Sequence, residues 1–395
     1  MRAFEYHAPT QIVFGKDTES RTGELVKQHG GSRVLVVYGG ESAKKSGLLD
    51  RVLHSLKQEQ IETEIHGGAM PNPRLSFAKE GLKKAQAFRA DFVLAIGGGS
   101  AIDAAKGIAD GAGNPDTGLW DIWTRKAECK GALPVGVVLT IPAAGSETSD
   151  SAVLTNDDTR VKRGLSLPYH RPRFAVMNPE LAFSLPRYQL ACGVTDIMMH
   201  TMERYFNPVT ENDLTDELAE GLLRAVIKNG KEALEEGVTY RNMSEIMWAG
   251  SISHVGLTGL GNRGDWATHQ LGHELSARFD LAHGASLAAV WASWARYCVA
   301  ENPARFARYG MRVLGIDGIG KTEEAVADSA IDRTEALFET YGMPTCFSRT
   351  DFGILPEETL EDLAVRCTFY GERTIGTFKT LDRDDILAIY KLANR

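Results

Sequence analysis

Residues 90–110, ADFVLAIGGGSAIDAAKGIAD, have the pattern of a strand, a glycine turn and a helix in succession. Gly97, Gly98 and Gly99 carry no Cβ, so their backbone can adopt a positive φ and come close to a ligand. Ser100 is expected to cap the helix, whose free N–H groups favour an anion such as a pyrophosphate. The spacing is neither GxGxxG nor a P-loop, because Ile102 stands at the third glycine position. A plain tight turn needs fewer glycines, so we expect phosphate binding here.

The chain around this unit alternates apolar, β-branched runs with helical segments as far as about residue 185. Such alternation predicts an α/β layer with a mostly parallel sheet buried on both faces. The predicted strands lie in RVLVVYGG (33–40), IETEIHGG (61–68), DFVLAIGGGS (91–100), LPVGVVLTIP (133–142) and RFAVMNP (173–179).

The strand signal stops after LAFSLPRYQ, and helical periodicity replaces it. The periodic segments are LACGVTDIMMHTMERYF (190–206), TDELAEGLLRAVIKNGKEALEEG (215–237), HGASLAAVWASWARYCVA (283–300) and LDRDDILAIYKLANR (381–395). We therefore predict an α/β dinucleotide-binding domain over residues 1–185 and an all-α domain over residues 186–395.

The composition excludes several classes of protein. A net charge of −8 without a basic run argues against binding nucleic acid or an anionic membrane. The N-terminus lacks the apolar core of a signal peptide, and no apolar run is long enough to span a bilayer. The five cysteines form no CxxC pair, which favours a reducing compartment. We expect a soluble cytoplasmic protein.

A second glycine loop, VLVVYGGESAKKSG (34–47), follows the first of these predicted strands. In dinucleotide folds an acidic residue near such a strand end holds the ribose, whereas small or basic residues admit a 2′-phosphate. Gly39, Gly40 and Ser42, with two lysines behind them, favour NADP. Glu41 argues against it, and lysines on a solvated helix face are the alternative interpretation.

Metal-ligating residue types recur at helical spacing in the second half of the chain. His269 and His273 are four residues apart, as are Asp196 and His200, so each pair shares a helix face. His283 follows a break in the helical pattern that can return it to the same place. Imidazoles with one carboxylate suit zinc, iron or nickel, so we predict a divalent metal site.

A zinc peptidase is excluded by one position. The helix contains HQLGH, with Gln270 where the HExxH motif carries its general-base glutamate.

Motifs in the same order along the whole chain resemble those of the iron-containing alcohol dehydrogenases. The resemblance is strongest to the NADPH-dependent butanol dehydrogenase and aldehyde reductase branch, and the fold it implies is similar to that of dehydroquinate synthases. The motifs are PTQIVFG, PNP (71–73), GGGSAIDAAK, TIPAAGSETS, MNPELAFSLP, TDIMMHTMERY and WATHQLGHELSARFDLAHG.

The resemblance implies roles for individual residues and a homodimer. His273 is expected beside the substrate and not as a ligand. The implied metal ligands are Asp196, His200, His269 and His283. The implied cofactor contacts are Gly98, Gly99, Ser100 and Asp103 at the pyrophosphate; Asn72, Thr140 and Lys162 towards the ribose and nicotinamide; and Gly39, Gly40 and Ser42 at the 2′-phosphate.

Two positions depart from the family's pattern. Ala144 replaces a common threonine, which removes a polar group near the cofactor. Glu41 stands where the NADPH branch often has a third glycine, which weakens the expectation of NADP over NAD.

The expected reaction is hydride transfer between NADP(H) and small aldehydes or primary alcohols. Fe²⁺ or Zn²⁺ would polarise the substrate oxygen in a cleft between the domains. His273 is the expected proton relay, since an imidazole titrates near neutral pH.

Three alternatives use the same architecture. They are an NAD-linked glycerol or diol dehydrogenase, a dehydroquinate synthase-like lyase and a catalytically silent nucleotide binder. The segments that carry the predicted ligands are poor in basic residues, which favours a small neutral substrate over the polyanion of such a lyase.

Overall fold

The chain forms two compact units in the computed structural model, which describes residues 1–209 and 211–395. The sheet unit comprises residues 7–185 and 239–255, and the helical unit comprises residues 1–6, 186–238 and 256–395. Relative to a single cut at residue 185, two short segments are exchanged: residues 1–6 lie with the helices, and residues 239–255 lie with the sheet. The assignment of domain roles to 1–185 and 186–395 stays a prediction.

A parallel sheet of six strands forms the centre of the sheet unit, in the order β1-β8-β5-β4-β2-β3. The strands of the chain are β1 (Gln11–Phe14), β2 (Arg33–Tyr38), β3 (Glu62–Gly67), β4 (Phe92–Gly97), β5 (Val135–Leu139), β6 (Ser151–Asn156), β7 (Val161–Ser166) and β8 (Phe174–Met177). Every residue of the central strands β4 and β5 is buried, as expected for parallel strands covered on both faces. All five predicted strands are present.

Three strands lie outside the predicted runs. β1 is a four-residue strand at the edge of the sheet, too short to give a clear pattern. β6 and β7 form a separate antiparallel hairpin, whose polar residues dilute the apolar alternation that identifies a half-buried strand.

The helices of the first half lie between the strands. They are α1 (Thr22–Gln28), α2 (Ser42–Lys45), α3 (Leu48–Gln58), α4 (Leu75–Phe88), α5 (Gly99–Gly113) and α6 (Leu119–Trp123). This succession of parallel strands and crossover helices confirms the predicted α/β class.

Helix α5 begins two residues earlier than predicted, at Gly99 instead of residue 101. The N–H groups of Ala101 and Ile102 both donate to the carbonyl of Gly98, at 3.1 and 3.2 Å, and Gly98 is the N-cap. Ser100 therefore lies in the first turn, and its prediction as the cap is wrong. The reason is the extended backbone at Gly98, which lets the helical hydrogen bonds start before the serine.

The second half of the chain is helical. Its helices are α7 (Arg187–Tyr205), α8 (Asp213–Glu235), α9 (Tyr240–Val255), α10 (Ala267–Phe279), α11 (His283–Cys298), α12 (Pro303–Arg312), α13 (Glu323–Tyr341), α14 (Glu357–Cys367) and α15 (Arg383–Ala393). Of these, α9 belongs to the sheet unit. Apart from one isolated bridge between Ile375 and Leu381, the described part of the helical unit contains no β-pairing. No helix among the described residues is both long and apolar enough to cross a membrane.

Candidate metal and cofactor sites

One face of α7 carries three buried polar side chains. Asp196, His200 and Glu203 are separated by four and three residues, so they lie above one another on the same side of the helix. Each is at most 4 % exposed. Burial of this much polar surface is costly unless the groups share partners or an ion.

Helices α10 and α11 contribute the remaining predicted residues. His269 and His273 are one turn apart on α10 and are buried. His283 is the first residue of α11, and its side chain is the most accessible of the set, at 26 %. The break between these two helices spans only residues 280–282, which returns His283 to the same region as α10.

The four predicted metal ligands converge on one carboxylate oxygen. Asp196 Oδ1 lies 3.3 Å from His200 Nδ1, 3.9 Å from His269 Nε2 and 3.7 Å from His283 Nε2. Ligand atoms of Asp196, His200 and His269 all lie within 4.8 Å of one another. The structure thus brings side chains from three helices together.

These separations fit a shared divalent cation. Two ligand atoms that each lie about 2.1 Å from one ion are at most about 4.2 Å apart, and all three distances to Asp196 Oδ1 fall within that limit. One carboxylate and three imidazoles form a mixed O and N donor set, which suits Fe²⁺ and Zn²⁺. The residues present therefore fit the predicted metal.

Glu203 holds His269 from the side opposite Asp196. Its Oε1 accepts the backbone N–H of His269 at 2.8 Å and lies 2.9 Å from the ring Nδ1. A proton on Nδ1, donated to Glu203, leaves the Nε2 lone pair facing Asp196. Burial raises the pKa of Glu203 to about 8, and a cation near His269 favours its ionised form.

Replacing Glu203 by leucine is expected to lower the affinity for a divalent ion by about 10- to 100-fold, the usual effect of losing such a supporting carboxylate. Glu203→Gln keeps an oxygen acceptor for Nδ1–H and should lose less. Competition between the protein and a chromophoric chelator for Co²⁺ measures the affinity without any turnover. Glu217→Leu, at an exposed position on α8, is the matched control. Equal affinities in Glu203→Leu and the control contradict this role.

His273 lies beside the ligand cluster. Its ring centroid is 5.5 Å from that of His283 and 6.4 Å from that of His269. It is 7 % exposed. This position is compatible with the non-ligand role implied for it, which stays a prediction.

The segment that follows β5 packs directly against the glycine turn between β4 and α5. Gly97 has a φ of 157°, and a Cβ on Gly98 would lie 2.7 Å from the Cβ of Ile141. The N–H of Thr140 donates to the carbonyl of Gly97 at 3.0 Å. Glycines are required here because the turn and the adjoining segment are in direct contact.

Two predicted cofactor residues from distant parts of the sequence meet in the sheet unit. The ammonium group of Lys162, on β7, donates to Asn72 Oδ1 at 3.0 Å. Asn72 has a left-handed φ of 53°, and both residues are 5 % exposed. Asparagine adopts this backbone conformation more readily than most residues, and the hydrogen bond from Lys162 fixes its side chain inside the protein.

The other predicted cofactor residues are divided between a surface and a buried location. Gly40 and Ser42 are exposed after β2, and a Cβ on Gly40 would meet no atom within 4 Å. Asp103 is only 8 % exposed, and its carboxylate accepts from Ser146 Oγ at 2.6 Å and from the Val153 N–H at 2.9 Å. Asp103 is thus engaged inside the protein.

The family of the chain follows from comparison with known proteins. The model for iron-containing alcohol dehydrogenases matches residues 9–179, and the model for the C-terminal part of that family matches residues 190–394. The chain belongs to the iron-containing alcohol dehydrogenase family. The predicted family and the predicted NAD(P)-dependent alcohol dehydrogenase activity are confirmed.

Similar proteins cover the whole chain. NADH-dependent butanol dehydrogenase A of Clostridium acetobutylicum is 38 % identical over 392 residues, 99 % of each chain. The NADPH-dependent aldehyde reductase YqhD of Escherichia coli is 36 % identical over 395 residues, 100 % of each chain. The crystal structure of NADH-dependent butanol dehydrogenase A from Thermotoga maritima superimposes with a TM-score of 0.95 at 34 % identity, covering 100 % of this chain and 99 % of that chain.

Membership of the family implies a divalent metal ion and a nicotinamide cofactor. The names of the relatives divide between NADH and NADPH. The predicted fold class is confirmed as well, since the solved relatives share it over the whole chain.

Proposed function

We propose that the protein is a metal-dependent reductase of small aldehydes that uses NADP(H), and that it oxidises primary alcohols such as butanol in the reverse direction. The convergence of Asp196, His200, His269 and His283 carries this proposal. The printed names of the full-length relatives, butanol dehydrogenases and an aldehyde reductase, support the substrate class.

Asp196, His200, His269 and His283 are the residues that we propose to hold Fe²⁺ or Zn²⁺. When bound, the ion supplies a Lewis acid for the substrate oxygen. The carboxylate of Asp196 contributes the one negative charge among the four ligands, and Glu203 orients His269 towards it. Asp196, His200 and His269 are each at most 4 % exposed, and their removal from bulk water strengthens the electrostatic interactions among them.

We propose that the dinucleotide binds through residues 1–185, and that residues 186–395 supply the metal ligands. The pyrophosphate is assigned to Gly98, Gly99 and Ser100, where the N-terminus of α5 offers free N–H groups. Asn72, Thr140 and Lys162 are assigned to the ribose and nicotinamide. Asp103 is assigned a supporting role in the cofactor site, without direct contact with the dinucleotide.

The preference for NADP(H) over NAD(H) rests on the loop after β2. Gly39, Gly40 and Ser42 leave room for a 2′-phosphate. Glu41 opposes it, but its carboxylate lies 3.3 Å from Lys44 Nζ, so its charge is partly offset. NAD(H), named in several relatives, is the alternative. We also propose that the protein is a homodimer and that it is located in the cytoplasm.

The test is oxidation of reduced cofactor by butyraldehyde, followed by the near-ultraviolet absorbance of the nicotinamide. The protein is stripped of metal, reloaded with Fe²⁺ or Zn²⁺, and assayed with NADPH and with NADH. Metal-dependent oxidation of NADPH with little oxidation of NADH is the expected result. A preference for NADH would overturn the choice of cofactor, and no oxidation with either cofactor and either metal would overturn the function.

We propose that His273 delivers the proton that the alkoxide product takes up, directly or through water. His273→Ala is expected to lower kcat for aldehyde reduction by about 100-fold, a typical loss for a general acid, with the metal content unchanged. His54→Ala, at an exposed position on α3, is the matched control. Undiminished turnover in metal-loaded His273→Ala would exclude the role.

A further inference from the structure

A buried lysine lies beneath the glycine turn, on the second turn of α5. Lys106 is 1 % exposed, and its ammonium group donates hydrogen bonds to the short segment formed by residues 146–151. Nζ donates to the carbonyl oxygens of Ser146, Ser149 and Ser151 at 2.7, 3.1 and 2.8 Å, and to Ser146 Oγ at 2.9 Å. Burial of an ammonium group is costly, and these charge-assisted hydrogen bonds offset that cost.

Asp103 completes the arrangement one helical turn earlier. Ser146 Oγ accepts from Lys106 and donates to Asp103 Oδ1 at 2.6 Å, so one hydroxyl joins the two charges. The other oxygen of Asp103 accepts the N–H of Val153. Both ends of the segment 146–153 are thereby fixed to the same helix.

The residues that Lys106 and Asp103 hold belong mostly to the connection between β5 and β6, residues 140–150. Residues 140–150 form neither helix nor strand, yet residues 145–149 are buried. Arg171 adds a hydrogen bond to the carbonyl of Thr148 at 2.9 Å, and Gly145, at a φ of +62°, packs against the carbonyl of Gly250 on α9. A buried segment without regular structure depends on such side-chain partners for its backbone groups.

Ile141 and Ala144, near the beginning of residues 140–151, lie directly against the glycine turn. Ile141 limits the space at Gly98, and a Cβ on Gly99 would lie 3.2 Å from the Cβ of Ala144. A shift of the segment therefore changes the space and the backbone geometry available at the turn.

We propose that Lys106, with Asp103, is a positioning residue that acts through residues 140–151 to set the shape of the dinucleotide-binding turn at Gly97–Gly99. This inference rests on the proposed function, because it assumes that a dinucleotide binds at the turn. It also explains why Asp103, expected at the cofactor, faces the interior: it supports the binding turn without touching the ligand.

The test compares Lys106→Met with Lys83→Met, a control at an exposed lysine on α4, in the full-length, metal-loaded protein. Dissociation constants for NADPH and NADH are measured by nicotinamide fluorescence, alongside hydrogen exchange in residues 140–151. We expect Lys106→Met to bind the dinucleotide at least about 10-fold more weakly, as for a buried charge network left unpaired. The segment should exchange faster, KM for the cofactor should rise more than kcat falls, and the metal content should stay constant.

A merely structural lysine would lower the melting temperature and leave the dissociation constant of the folded protein unchanged, which would overturn the proposal. If Lys106→Met does not fold, Ser146→Ala and Asp103→Asn decide: weaker dinucleotide binding in either supports the proposal, and wild-type binding in both overturns it. Failure of the wild-type protein to bind either dinucleotide would instead contradict the proposed function.

Discussion

Asp196→Asn is expected to weaken metal binding by more than about 100-fold and to lower aldehyde reduction by at least about 1000-fold. Asp196 Oδ1 is the atom to which three imidazole nitrogens converge, at 3.3, 3.9 and 3.7 Å. Asparagine has nearly the same shape but no charge, so the set would lose its anionic ligand while the helix keeps its packing. A Lewis acid supplies several kcal/mol of transition-state stabilisation, and about 4 kcal/mol corresponds to that loss of rate.

Metal content by elemental analysis and steady-state reduction of butyraldehyde measure the two effects separately. Asp328→Asn, at an exposed position on α13, should match the wild type in both. Titration of Asp196→Asn with Zn²⁺ or Fe²⁺ should show affinity more than about 100-fold lower, since loss of a supporting carboxylate alone costs 10- to 100-fold. A variant that retains one ion per chain and its activity would refute the assignment of Asp196.

The sequence predicts which ligand-type residues form a pair on each helix, but the contact between the two pairs is determined by tertiary structure. The spacing of Asp196 and His200, and of His269 and His273, fixes which residues share a face. That α7, α10 and the first residue of α11 converge depends on helix packing, which local periodicity does not encode. The spacing of ligand-type residues was enough to predict a shared metal site, and the family resemblance then selected four of them as ligands and separated His273 from the set.

Glu203 shows what helical spacing could have added. It lies seven residues after Asp196, two turns along the same face, and could have been considered as a partner of the site from that interval alone. The contact between Glu203 on α7 and His269 on α10 could not be predicted, because no pattern in either helix specifies which residue of α10 lies opposite Glu203.

Local sequence patterns also predict only part of the fold. Strands β2, β4 and β5 were predictable because parallel strands buried on both faces need continuous apolar runs. Helix α9 has a helical sequence like its neighbours in the chain, but it lies in the sheet unit, where Ser251 donates to Glu147. Lys106 resembles any helical lysine in sequence, and only its partners reveal that it is buried.

Gly284 explains how the first residue of α11 comes close to α7. A Cβ at this position would lie 2.2 Å from the carbonyl oxygen of Cys192 and 2.8 Å from its Cα. These are backbone atoms of α7, so no side-chain rotation can relieve the contact. Cys192 precedes Asp196 by one helical turn, and His283 is adjacent to Gly284; the two helices therefore touch at the level of the ligand set.

Gly284→Ala is accordingly expected to separate α11 from α7, to displace His283 from Asp196 and to weaken metal binding by more than about 10-fold. Overpacking of this kind costs about 1–3 kcal/mol, which should appear as a lower free energy of unfolding in urea. Gly221→Ala on α8 is the matched control, because its nearest atom is the end of the Arg224 side chain at 3.8 Å; there, alanine should be neutral or stabilise the helix by about 0.5–1 kcal/mol. If Gly284→Ala has the same free energy of unfolding and the same metal affinity as the control, the close approach at Cys192 does not position His283.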